Sequence, residues 1–455
     1  MTTPATRSVT AKFVTGSTLR HVINMTAASS IGLIAIFVVD ALNLFYIARL
    51  GHKELAAAVG YAGTLLFFTT SVAIGFSIAA SAITARALGA GNMALAKKRA
   101  GASLCIMGAA SLLMTVVLFP ALGWLLAGLG ASGETLALAL RFSQIVLPSL
   151  VLLGVGMGLS ALLRALGDGK RSMYVTLGAA LATAVLDPLF IFGLGLELDG
   201  AAIANVLARG VMVAVGLTAL IRRHHLFAWP SKADLRDALP AFFAIGVPAI
   251  LTQVATPFGN AVITKAMAGY GDDAVAGWAV VTRLIPVAFG VLFALSGAVG
   301  PIIGQNLGAK RFDRIGQTMR DALWVTLISV TAAWALLALF HNPLGNMFNA
   351  NAQAREVIDF FCFFVAGSFL FNGALFVANA AFNNLGYAFY STALNWGRAT
   401  LGVIPFVWLG SHWYGVKGIM AGYGLGVMIF GVVGIWLCFR VLNQLAQKNA
   451  GKHGV

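Results

Sequence analysis

The chain has 455 residues, 59% of them hydrophobic and only 10% charged, with a mean hydropathy of +0.89. A soluble domain carries about 25% charged residues, so this composition excludes a soluble globular protein. The net charge of +15 has no soluble domain on which to form a patch, which argues against nucleic acid as a partner.

The N-terminal stretch up to Met25 is polar and basic and shows no cleavable signal pattern, so the first span is expected to act as the targeting signal. Apolar runs between charged or turn-rich breaks then predict helices at about 22–49, 56–86, 98–125, 135–164, 172–196 and 199–221. After a basic loop at 222–238 they resume at about 239–268, 273–305, 317–341, 354–384, 389–411 and 415–440. Nearly all reach the ~20 residues that cross a ~30 Å hydrocarbon layer. They are too long and too uniformly apolar for barrel strands. The expected fold class is an all-α polytopic membrane protein with twelve transmembrane helices.

With both termini placed in the cytoplasm, 21 of the 30 Lys and Arg fall on the cytoplasmic side, among them Arg7, Lys97, Lys98, Arg222, Arg223 and Lys452. Five fall outside and four lie in spans: Arg141, Arg209, Arg283 and Arg398. This bias orients the chain, as in other inner-membrane proteins.

The halves repeat. Leu88-Gly89-Ala90 recurs as Leu307-Gly308-Ala309, and Arg164-Ala-Leu-Gly167 has its counterpart in Asn383-Asn-Leu-Gly386. Both matches have the same offset along the chain. Residues 1–221 are therefore read as one six-helix lobe and 239–455 as a second, with 222–238 joining them. Parallel repeats of this kind are a common transporter plan.

Of fifteen Asp and Glu, thirteen are read at loops or helix ends, and only Asp40 and Asp187 sit well inside spans. Asp at a span centre costs roughly 2.5–3.5 kcal/mol on insertion scales, so such an acid is a functional hypothesis by default. Desolvation disfavours its charged form, which suits it to proton exchange. Pro188 removes an amide donor and frees the Ala184 carbonyl one turn earlier. Arg209, one turn beyond Asn205 on the same face, is the candidate counter-ion. Arg141 follows Glu134 near an outer helix end and is expected to snorkel.

Cys105, Cys362 and Cys438 lie singly in apolar segments, and His224-His225 has no third ligand nearby. Neither a transition-metal site nor a cofactor is expected. No His–acid or Cys–His set lies at one membrane depth, which argues against an enzyme.

Several stretches resemble the multidrug and toxic compound extrusion (MATE) family: Arg49-Leu-Gly51 with Glu54-Leu-Ala-Ala-Ala-Val-Gly60, Leu163-Arg-Ala-Leu-Gly-Asp168, and Leu186-Asp-Pro-Leu-Phe-Ile-Phe-Gly-Leu-Gly195 before Gly200-Ala-Ala-Ile-Ala-Asn205. The resemblance covers essentially the whole chain. It implies two lobes in a V, alternating access, and export of amphipathic organic cations driven by H+ or Na+. In the family's proton-coupled branch, Asp187 matches the helix 5 acid. Thr183 stands at an Asn position and Asn205 at a Thr position, while Asn43 takes the place of the helix 1 acid with Asp40 one turn before it. Either ion would use these carboxylates, so Na+ near Asp187 is part of the expectation. The family's second-lobe sodium ligands fall on Thr256, just before the kink at Pro257, and on Asn372. Both are uncharged, which places coupling in the first lobe. Phe258, Phe289, Phe293, Phe371 and Phe376 could line an aromatic surface for flat cations, although lipid-facing Phe is the ordinary reading. A flippase for lipid-linked sugars shares the two-lobe plan and is the alternative, with Arg209, Arg283 and Arg398 as its support. A monomer in the bilayer is expected.

Overall fold

The computed structural model describes residues 11–50, 53–347 and 351–451. The basic residues Arg7 and Lys452, and Gly51 of the first family motif, lie outside the described residues. Eleven helical runs among those residues are long and apolar enough to cross a membrane. The last of them, Ala388–Asn449, turns back on itself and makes two crossings, which gives twelve.

The first lobe holds α1 (Thr18–Arg49), α2 (Lys53–Gly89), α3 (Met93–Gly128), α4 (Gly133–Ala165), α5 (Gly169–Gly193) and α6 (Glu197–Arg223). The second holds α7 (Lys232–Ala268), α8 (Asp272–Ala288 and Gly290–Gly308), α9 (Phe312–Leu339) and α10 (Ala352–Leu385). α11 starts as Ala388–Ala399, breaks over 400–403, and resumes at Ile404. α12 follows the bend at Tyr414 and Gly415, where Gly415 has φ 58° and ψ −135°, a backbone open in practice only to glycine.

Three boundaries differ from the sequence reading for local reasons. α7 begins at Lys232, inside the expected loop, because Ser231 and Asp234 form a reciprocal capping box. α8 is broken at Phe289 (φ −111°, ψ 19°), since Pro286 cannot donate to the Thr282 carbonyl. α4 narrows to a 3₁₀ turn at Leu147–Ser149, and α10 does the same at Ala366–Ser368, the repeat-related position. The serines close these turns alike: Ser149 Oγ donates to Val146 O and Ser368 Oγ to Val365 O, both at 2.7 Å.

Packing of the lobes differs at the two ends. Away from the basic residues the cores are separate. One cluster is built from α1–α6 and the loop after α3, from Ile47 to Ala202, and another from α7–α12, from Ile263 to Val427. At the basic end the lobes share cores, with Phe242, Ile245 and Ala388 joining the first-lobe cluster and Phe13, Val22 and Met25 the second. The result is a V whose vertex is the basic end.

The vertex carries the repeat's own symmetry. Arg86 Nε donates to Asn384 O at 2.9 Å, and Gln305 Nε2 donates to Ala165 O at 2.7 Å. The repeat relates Arg86 to Gln305 and Ala165 to Asn384, so the two bonds are copies of each other across the lobes. At the same crossing, a Cβ on Gly89 would overlap the Gln305 carbonyl, and one on Gly308 the Arg86 carbonyl. Only glycine lets these two backbones meet.

A strap formed by residues 11–17 crosses the vertex. Lys12 Nζ donates to Gly167 O in the first lobe at 2.8 Å, while Phe13 N donates to Gln305 Oε1 in the second at 2.8 Å. Arg314 Nη2 donates to Phe13 O at 2.9 Å. Just beyond it, Thr18 Oγ1 donates to Asp321 Oδ2 at 2.5 Å, and Gln317 Nε2 to Oδ1 at 2.8 Å. Asp321, expected at a helix end, is instead buried in the third turn of α9, because that helix starts at Phe312 rather than near 317.

The connection between the lobes is clamped at Asp168. This N-cap accepts from Arg171 N at 3.0 Å and Arg171 Nη1 at 2.5 Å, and pairs with His224 Nε2 at 2.7 Å. Burial opposes its charge, but the hydrogen bonds from His224 and Arg171 outweigh that and hold the carboxyl well below the usual carboxylate range. Such a group stabilises the fold above its unfolded value of 3.8, and the contribution is lost as pH falls below it. Asp168→Ala, which removes a cap and charge-assisted bonds worth about 2 kcal/mol, is expected to lower the unfolding midpoint in detergent at neutral pH by several degrees. That difference should shrink on acidification below about pH 4. An equal difference at both pH values would show that the charge is not what clamps the loop.

Candidate functional site

α1 and α5 approach closely where Gly32 lies against Thr176, a contact that a side chain on residue 32 would block. This brings Asn43 to Asp187: Asn43 Nδ2 donates to Asp187 Oδ2 at 2.7 Å. Asp187 is 1% exposed, and its second oxygen, Oδ1, is buried without a hydrogen-bond partner. An orphaned buried acceptor costs about 1–3 kcal/mol, more if charged. A proton or a cation at that oxygen would relieve it. The chain bends directly after the acid, where Pro188 leads into a wide π-helical turn at Leu189–Gly193, a device found at functional sites.

The structure brings only some of the expected site residues together. Asn43 rather than Asp40 makes the direct bond to Asp187. Asp40 lies one turn earlier on α1 and is exposed. Thr183 Oγ1 donates to Ala179 O of its own helix at 3.1 Å. Asn205 is half-buried on α6. Arg209 is buried, and its guanidinium donates to Ser149 Oγ at 2.8 Å and Val146 O at 3.4 Å, filling the 3₁₀ break of α4. Arg141 pairs with Asp199 at the start of α6.

In the second lobe, Thr256 is exposed on α7 beside Pro257, and Asn372 is buried with Oδ1 unpartnered. Arg398 of α11 is 5% exposed and donates from Nη2 to Thr256 Oγ1 at 3.2 Å. The sequence reading uses Arg398 only as support for the flippase alternative, because its partner Thr256 lies 142 residues away. Phe258 and Phe293 are partly exposed and pair with Trp396 and Phe376 at 5.3 and 5.4 Å. Phe289 does not belong on a substrate surface. It is buried and stacked on Phe369 at 4.2 Å, because the break in α8 turns it into the core. No group of His, Cys, Asp and Glu suited to a metal ion occurs among the described residues.

The MatE family model matches residues 28–189 and 248–409. The second matched stretch is as long as the first and sits in the other lobe, in keeping with the internal repeat. An FAD transporter of Shewanella oneidensis is 30% identical over 450 residues, covering 95% of this chain and 96% of that protein. The multidrug export protein MepA of Staphylococcus haemolyticus is 22% identical, with 96% and 97% covered. Among solved structures, the MATE transporter VcmN of Vibrio cholerae in its bent form superposes with a TM-score of 0.88 at 25% identity, covering 95% of this chain and 97% of that one. None of these three is a lipid-linked sugar flippase, so that alternative has no support from them. A duplicated six-helix plan, matched by the family model in both halves, makes this chain a member of the MATE family of multi-pass membrane transporters, and not an enzyme.

Proposed function

We propose that the chain is a secondary antiporter of the inner membrane, with both termini in the cytoplasm, exporting flat amphipathic solutes against inward proton movement through the first lobe. One observation carries this reading: Asp187 is buried between α1 and α5 with one oxygen held by Asn43 and the other free. Asp40 is the second carboxylate of the pathway, with Thr183 and Asn205 as polar neighbours and Arg209 fixing α6 against α4. Sodium is the second choice of ion, because two carboxylates and one amide are a sparse oxygen set for a metal cation that takes about six ligands. The vertex at the basic end makes this the outward-open state, since basic ends lie in the cytoplasm. MepA is named for multidrug export, which favours organic cations as cargo, whereas the FAD transporter's name points to a flat dinucleotide. The protein acts as a monomer.

The test is ethidium export from proteoliposomes driven by a pH gradient alone and then by a sodium gradient alone. A pH gradient is expected to suffice. Export on sodium alone would reassign the ion, and downhill flux indifferent to both gradients would overturn antiport.

A further inference from the structure

The second lobe holds a cation with no acid beside it. Arg398 lies one residue from the end of the first segment of α11, just before the break at 400–403. Opposite it, α7 carries Pro257, and the two helices touch where Gly259 packs on Ala399. A helix broken inside a membrane protein, as α11 is, is tolerated where it lines a cavity, and such breaks build many transporter binding sites. Arg398 Nη2 reaches Thr256, Tyr423 of α12 lies beside the guanidinium, and Nε is buried with no partner. No Asp or Glu forms an ion pair with it among the described residues. A buried guanidinium without a counter-charge is costly, and neutral hydroxyls do not neutralise it. Thr256 is the exposed member of this pair.

We infer that this junction is an anion subsite of the exported solute, in which Arg398 and Thr256 take its carboxylate or phosphate group. The inference rests on the chain being a solute exporter and specifies its cargo: organic anions bearing a phosphate or carboxylate, in addition to amphipathic cations. The lobes then divide the task, with the coupling acid in the first and the cargo's counter-charge in the second. Guanidinium groups suit this role because their fork matches phosphate and carboxylate.

The experiment compares riboflavin with flavin mononucleotide, which carry the same ring and differ by a phosphate. Binding to the full chain in phosphatidylcholine nanodiscs is read from flavin fluorescence, with no ion gradient present. The nucleotide is expected to bind at least tenfold tighter than riboflavin. Arg398→Gln should erase that difference, Arg398→Lys should restore part of it, and Thr256→Val should reduce it severalfold. Equal affinity of the two flavins for the native chain would overturn the inference. So would a preference that survives in Arg398→Gln. If Arg398→Gln does not fold, Thr256→Val decides alone, because it keeps the shape of an exposed residue. Loss of the nucleotide preference when phosphatidylglycerol is added would assign the cation to a lipid headgroup and also overturn it. Ethidium export on a pH gradient is independent of these outcomes, so failure of the subsite and failure of antiport can be told apart.

Discussion

Asp187→Asn is expected to abolish proton-coupled export, lowering ethidium-driven proton exchange in proteoliposomes at least a hundredfold while leaving the unfolding midpoint nearly unchanged. The replacement keeps the shape of the side chain, and its amide oxygen can still accept from Asn43, so the α1–α5 contact persists. What disappears is the oxygen without a partner, which is the one free to take up and release a proton. Asp40→Asn should cost less, since its exposed carboxylate is not held in the α1–α5 contact. Full exchange by Asp187→Asn would sink the proposed coupling site. A comparable loss from Asp40→Asn alone would move the centre of the site one turn down α1.

A second large effect is expected at the crossing of α2 and α8. Gly89→Ala and Gly308→Ala each drive a methyl group into a carbonyl of the opposite lobe, Gln305 and Arg86 respectively. Backbone cannot rotate away as a side chain can, and overpacking of this kind costs up to about 3 kcal/mol. In a two-state transporter that shifts the populations by roughly a hundredfold. The clash exists only while the basic ends are together, so either variant should favour the state in which they part. Spin labels at Asn92→Cys and Lys310→Cys should then report a longer distance than in the parent, and transport should fall with it. An unchanged distance distribution would mean that the crossing does not gate.

Much of this architecture can be read from the chain. Spans, orientation and repeat follow from apolar run length, charge placement and recurring Gly-containing turns, all of which are local. Asp187 stands out because an acid in hydrocarbon has few ordinary explanations. Its partner is harder to find. Asp40 and Asn43 share a face of α1, and only the rotation of that helix against α5 determines which of them reaches the acid. Arg209 shows the same limit from the other side. Its hydrogen bonds go to a 3₁₀ break in α4 that sequence periodicity does not reveal. Asp321 is misplaced in the sequence reading because the start of α9 is set by contacts at the vertex, and Phe289 because one proline upstream turns it inward. Long-range geometry decides each of these cases.

The strap over residues 11–17 has a practical bearing on how the protein should be handled. It is bonded to Gly167 on one side and to Gln305 and Arg314 on the other, so load applied to the front of the chain falls on the closed gate. A bulky affinity tag or fluorescent fusion placed there would bias conformational measurements and slow turnover without touching either binding region. Labels and purification handles belong after α12, since no hydrogen bond among the described residues joins helix 416–451 to the first lobe.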